Sequence, residues 1–265
     1  MKNKLTIFIL LIVAMVFSAC GGKKNIEPEI VDDMIDIVGN ITAFEDTSYD
    51  VEDRNIKRIS VQSLASLISG MESGSIDYGQ LPSPVANFIT KKYNMTIHKT
   101  YTDSQTFSFG VPPRNKDLVE ELDHAIKGLE SDGVLDRLRK QYIEDIDNII
   151  DGLESAEFET FEGAPTITFA VTGDLPPIDY LDDDKNPIGF STALLSELGK
   201  RLKKNIKIIV CDSASRPAVL ISRKADVLFW VSNISNEDMH PESFVMEGIT
   251  LTEPYCEYTI SDITK

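Results

Sequence analysis

Few residues in this 265-residue chain are of a type and in a setting to do chemistry. Asp174 stands in the run Gly173-Asp-Leu-Pro-Pro-Ile-Asp-Tyr180, where a carboxylate can accept hydrogen bonds from a ligand or cap a helix or turn. Tyr180, closing the same run, can pack on a ligand or join the core. Trp230 is the single tryptophan, and its indole either stacks on a flat or apolar solute or fills the core with its N–H satisfied. Arg216 follows Asp212-Ser-Ala-Ser215 and offers either a cation for a carboxylate or a solvated helix start beside Pro217. His98, His124 and His240 have no cysteine or carboxylate at ligand spacing, so neither a metal nor any other cofactor is expected. Beyond Cys20, Cys211 and Cys256 are too few for a disulfide framework, and both one bridge and two buried thiols fit them.

The first residues carry a different chemistry. Lys2 and Lys4 precede an apolar run that reaches Phe17, followed by Ser18, Ala19 and Cys20. A membrane span needs ~20 apolar residues. The stretch from Leu5 to Ala19 has 15, so it reads as a secretion signal. Its end, Phe17-Ser-Ala-Cys20, resembles the lipobox of bacterial lipoproteins, with Phe17 where leucine is usual. That implies cleavage before Cys20, lipid on its sulfur, and an extracytoplasmic protein held at the cell membrane or outer membrane. An ordinary signal cut after Ala19, with Cys20 a bystander, is the plainer alternative. Without the first 19 residues the chain carries 24 basic against 43 acidic side chains, a net charge of −19. Such a surface repels phosphate backbones and anionic headgroups, which excludes nucleic acid as a partner and leaves membrane contact to the lipid.

These residues need elements to position them, and the hydrophobic periods supply an α/β order. Residues 20–55 read as an acidic tether with one amphipathic stretch at 30–38. Strand 56–61, helix 62–71, strand 75–81, helix 84–93, strands near 96–101 and 106–111, and helices 116–131 and 134–150 follow. Residues 151–165, with five acids, no base, Gly163 and Pro165, read as a linker. A second block opens at 166 with strand 166–171, helix 191–202, strand 206–211, helix 217–222, strand 225–231 and a last strand near 255–260. Strands alternating with helices predict an α/β fold.

Motifs in the two blocks resemble the family 3 extracellular solute-binding proteins, receptors of ABC importers of polar amino acids. Residues 166–265 are similar to the front of that family through Phe169-Ala-Val-Thr-Gly-Asp-Leu-Pro-Pro-Ile-Asp-Tyr180, Asn186-Pro-Ile-Gly-Phe190, Ala225-Asp-Val-Leu228 and Thr252-Glu-Pro-Tyr255. Residues 56–150 are similar to its back through Glu72-Ser-Gly-Ser-Ile-Asp77, Ser83-Pro-Val-Ala86, Phe107-Ser-Phe-Gly-Val111 and Ser131-Asp-Gly-Val-Leu135. The blocks stand in reversed order, as in a circularly rearranged or tandem-derived member. The resemblance implies a bilobed periplasmic-binding-protein type II-like fold, with two small sheet-and-helix lobes and a cleft between them.

On that resemblance Asp174, Tyr180, Trp230, Ser232, Asn233, Gln80 and Ser83 border the cleft, and Arg216 replaces a missing cation. The family's carboxylate-gripping arginine has no counterpart in Ile234-Ser-Asn-Glu-Asp238, and Pro82 stands where its amine-binding aspartate would be. The resemblance implies capture of a small polar or aromatic, amino-acid-like solute for an ABC-importer permease, without covalent chemistry. Two other functions fit the same residues. One is a dehydratase with Asp174 or Glu253 as acid, and the other is a degenerate module that binds a protein or forms a homodimer.

Overall fold

Leu64, Leu67, Ile68 and Met71 recur at helical spacing, and they form the buried stripe of helix α1 (Leu64–Ser73), which starts at the Ser63 N-cap and stops at left-handed Gly74. The computed structural model describes residues 42–46, 56–61, 63–150, 152–153, 155–233 and 249–265. The signal segment, Cys20, the 30–38 stretch and residues 234–238 lie outside the described residues.

A mixed nine-stranded sheet organises the described residues. Its strands are β1 (Thr42–Asp46), β2 (Ile56–Ser60), β3 (Tyr78–Pro82), β4 (Thr96–Val111), β5 (Thr166–Val171), β9 (Asn205–Val210), β10 (Val227–Asn233), β11 (Thr250–Leu251) and β12 (Cys256–Thr264). They run in the order β2-β1-β3-β12-β4-β10-β5-β9, with β11 also on β4. A separate three-stranded sheet joins β6 (Asp174–Leu175), β7 (Asp179–Leu181) and β8 (Pro187–Ile188). The α/β class holds. The strands of both sequence blocks form one continuous sheet over one main core, with β4, whose first residues are exposed and whose last five are buried, near its centre.

Helix α2 (Ser83–Lys92) packs on the central strands β3, β12 and β4 of the sheet. Helices α3 (Asp117–Ser131) and α4 (Val134–Arg139) pack on α6 (Phe190–Leu202), which also meets the edge strand β9. Leu122, Ala125, Ile126 and Leu129 of α3 and Phe190, Leu194 and Leu198 of α6 enter the main core. Arg201–Asp132 at 2.5 Å and Lys204–Glu121 rim that contact. Being substantially exposed, such pairs contribute at most about 1 kcal/mol each.

Three expectations need correction. The tether read over 20–55 contains β1, which pairs with both β2 and β3. The two strands near 96–101 and 106–111 are one, because β12 pairs along the polar residues between them, matching Tyr258 to Gln105 and Thr259 to Ser104. Ladder hydrogen bonds outweigh the turn propensity of Asp103 and Ser104. The helix read over 134–150 divides into α4, a π-helical turn at Lys140–Glu144 and α5 (Ile146–Ile149).

The described residues of the acidic stretch, 152–153 and 155–165, are docked along the protein. Leu153, Ala156 and Phe158 pack on the main core, and Ser196 Oγ donates to the Glu157 carbonyl at 2.6 Å. Asn205 clasps its end, accepting from Phe161 N at 2.9 Å and donating to the Phe161 and Ala164 carbonyls.

Candidate solute site

The run 173–181 folds as a hairpin seated on the start of α6. Asp174 pairs with Tyr180 and Leu175 with Asp179. Phe190 N and Ser191 N donate to the carbonyls of Pro177 and Ile178 at 3.2 and 2.8 Å, so the hairpin takes up free amides of the helix. Gly189, at φ 102°, permits the approach, because a Cβ there would lie 2.6 Å from the Pro177 carbonyl oxygen.

Asp179 is the buried acid of this hairpin, 1% exposed. One carboxylate oxygen accepts from Thr172 N at 3.2 Å and Thr172 Oγ1 at 3.1 Å, and the other accepts from Gly173 N. Burial pushes its pKa up to about 6; the Asp174 charge adds to this, while the hydrogen bonds and Arg216 oppose it. Asp179 is not among the candidates that the sequence offers. An acid set between Ile178 and Tyr180 on a short strand was the available signal.

Asp174 reaches out of the hairpin. Its Oδ2 accepts the backbone N–H of Leu64, the first residue of α1, at 3.2 Å. Oδ1 is buried without a hydrogen-bond partner, and burial raises the carboxyl pKa. Tyr180 meets Phe88 of α2, ring centroids 6.1 Å apart, and its hydroxyl is pushed up by burial. Both hairpin candidates thus meet helices of the N-terminal sequence block.

Trp230 lies in a bulge. Leu228 pairs with Gly110 and Val231 with Ser108, so β10 carries one extra residue there, and Trp230 takes φ 58°. Its ring stacks on Phe107 at 4.0 Å, 1% exposed, with Nε1 buried and lacking a hydrogen-bond partner. The bulge turns two carbonyls out of the ladder, and Arg216 meets them. Arg216 is the first residue of α7 (Arg216–Ile221) and is fully buried. Its Nη2 donates to the Phe229 carbonyl and lies 3.4 Å from that of Trp230, with Nη1 at 3.5 Å from the latter. Burial lowers its pKa, while Asp179 and, more weakly, Asp174 hold the charge in place. The solvated helix start considered for Arg216 is therefore corrected.

Ser232 is buried on β10 opposite Phe107, and Asn233 pairs with Thr106. Gln80 and Ser83 are tied to β12. Gln80 Nε2 donates to Asp262 Oδ1 at 3.0 Å, and Ser83 Oγ donates to the Thr259 carbonyl at 2.6 Å. The structure brings Asp174, Asp179 and Arg216 into one electrostatic group, with Trp230 on the carbonyl side of Arg216 and Tyr180 on the same hairpin as the acids. Among the described residues, the hydrogen bonds of Gln80 and Ser83 run to β12 and not to that group. Glu253, the other candidate acid, pairs with Lys127 at 2.7 Å. Cys211 and Cys256 are free, and no group of metal-holding side chains occurs among the described residues.

Residues 167–257 match the bacterial extracellular solute-binding proteins, family 3. The matched segment contains the hairpin, α6, α7 and the bulged β10, so the candidate group lies inside it. A phosphate ABC transporter phosphate-binding protein from Streptococcus pneumoniae TIGR4 is similar in structure over 88% of this chain and 83% of its own, at 10% identity and a TM-score of 0.35. Likeness of that degree bears on neither fold nor ligand. No protein of curated function matches the sequence.

Proposed function

We propose that this protein is the extracytoplasmic receptor of an ABC importer, capturing a small polar or aromatic, amino-acid-like solute and handing it to a permease. The observation that carries the reading is the hairpin of the family 3 segment, which presents Asp174 and Tyr180 to α1 and α2 of the other block. A ligand cleft of this kind needs a few preorganised polar groups on rigid elements facing each other. Asp174 supplies a buried acceptor with one oxygen open to a donor, and Tyr180 supplies an aromatic wall. The family's front part stands last in this chain and its back part first, so the receptor is a rearranged one. Lipid on Cys20 holds it at the membrane, within reach of the permease, and a diacylated cysteine meets the two-chain requirement for stable anchoring.

Thermal unfolding of the mature protein against a panel of amino acids, amines and small aromatic acids tests the capture. A true solute at 100 times its Kd adds about 2.7 kcal/mol of stability. A flat response across the panel, with unchanged tryptophan emission, removes the reading. The anchor is tested separately by Cys20→Ala, which releases the protein from the membrane fraction into the soluble one. Retention of the variant on the membrane excludes the lipid.

A further inference from the structure

We propose that Asp174 is an intramolecular latch: its carboxylate, carried by the β6–β7 hairpin, docks on the first amide of α1 and holds the hairpin against that helix. The partners are 110 residues apart and belong to different sequence blocks. At the start of α1 the local cap is already in place, since Ser63 Oγ accepts Ser66 N at 3.2 Å. Leu64 N is a further free amide of the first turn, and the hairpin acid takes it. A carboxylate suits that place because the helix N-terminus carries partial positive charge.

The burial of Asp174 distinguishes a latch from an ordinary cap. A cap at a surface helix keeps its second oxygen in water, whereas Asp174 Oδ1 is buried without a hydrogen-bond partner. Oδ2 is thus committed to α1 while Oδ1 keeps capacity for a donor, which gives a competing ligand something to gain by drawing the carboxylate away. Tyr180 against Phe88 fixes the same hairpin to the second helix and keeps the acid aimed. The sheet has places to bend as the contact breaks: β12 changes register against β4 between Thr259 and Ser261 and again between Asp262 and Ile263. The consequence for uptake rests on the receptor reading: a solute entering between hairpin and helix displaces the Asp174 carboxylate from Leu64. The latch itself is a contact within the chain and involves no solute.

Amide hydrogen exchange of the full mature protein without any solute tests it, comparing the parent with Asp174→Ala, Asp174→Asn and Ser63→Ala. The latch requires at least tenfold faster exchange at Leu64 and in segment 174–181 for Asp174→Ala, with β5 and α6 unchanged. Asp174→Asn keeps the shape and one acceptor but loses the charge, and it gives a smaller increase in the same two places. Ser63→Ala speeds the first turn of α1 and leaves the hairpin alone. Parent-like exchange at Leu64 in both Asp174 variants overturns the latch, as does faster exchange spread evenly over the protein. A silent solute panel touches only the receptor reading, because no solute enters this measurement.

Discussion

The phenol oxygen of Tyr255 accepts the backbone N–H of Trp230 at 2.7 Å and lies 3.5 Å from the Ser108 carbonyl, to which it donates. With Arg216 on the opposite carbonyls, the bulge of β10 is satisfied on both sides by side chains distant in sequence. Tyr255→Phe keeps the ring stack on Phe229 and Phe109 and strips only the oxygen. An orphaned buried N–H costs about 1–3 kcal/mol. Urea unfolding should register a loss in that range, and parent-like stability would count against the bond.

Arg216 answers to a sharper test because its fork geometry is what meets two carbonyls. Arg216→Met leaves both carbonyls and the nearby acids without their cation, and the expected loss is about 3–5 kcal/mol. Arg216→Lys keeps the charge but cannot place paired donors, so it recovers only part of the loss. If the lysine variant unfolds at the parent's urea midpoint, the guanidinium is present for its charge alone.

Asp179 makes stability fall as pH rises. Its pKa stands near 6 in the folded protein, above the ordinary 3.8. Below both values the unfolded and folded states are equally protonated, and the contribution is complete. Between them the unfolded chain releases the proton that the folded one retains, and by neutral pH about 3 kcal/mol has been lost. Other carboxylates titrate in the same window, so the measurement is the difference between parent and Asp179→Asn in denaturant titrations from pH 4 to pH 7. That difference should shift by about 2 kcal/mol in favour of the asparagine variant between pH 4 and pH 7. A constant difference would place the Asp179 proton elsewhere.

Gly189 and Gly74 separate close approach from conformation alone. Both have positive φ, 102° and 73°, but a Cβ at Gly74 meets open space while one at Gly189 runs into the hairpin carbonyls. Gly74→Ala should cost about 1 kcal/mol for its left-handed backbone. Gly189→Ala should cost about 2 kcal/mol or more, with the hairpin lifted from α6. Equal costs would mean that the seating of the hairpin is loose.

The period-based reading recovers most strands and helices because their apolar spacing is local: the stripe of α1 and the apolar run of β5 declare themselves. What escapes it is set by partners far along the chain. β4 is continuous only because β12 lies beside it, and β1 becomes a strand only between β2 and β3. The same holds at the candidate site. Asp174 and Tyr180 share one hairpin, as their nearness in sequence requires, but their partners Leu64 and Phe88 lie far away in the chain. Trp230 and Arg216 are buried against each other because of a bulge that residue types do not announce, and Asp179 is set by a fold-back onto Thr172 and Gly173.

The ladder partners of β4 are β10, β11 and β12, every one of them from the C-terminal block. This long strand therefore leaves the ribosome with nothing from its own block to pair with, and it must wait for more than a hundred further residues. Such distant pairing slows folding and lengthens the time for which a sticky edge lies open. A nascent chain of this kind is poorly suited to folding in instalments, and a holdase that keeps it extended until its last strand is made would work with the topology.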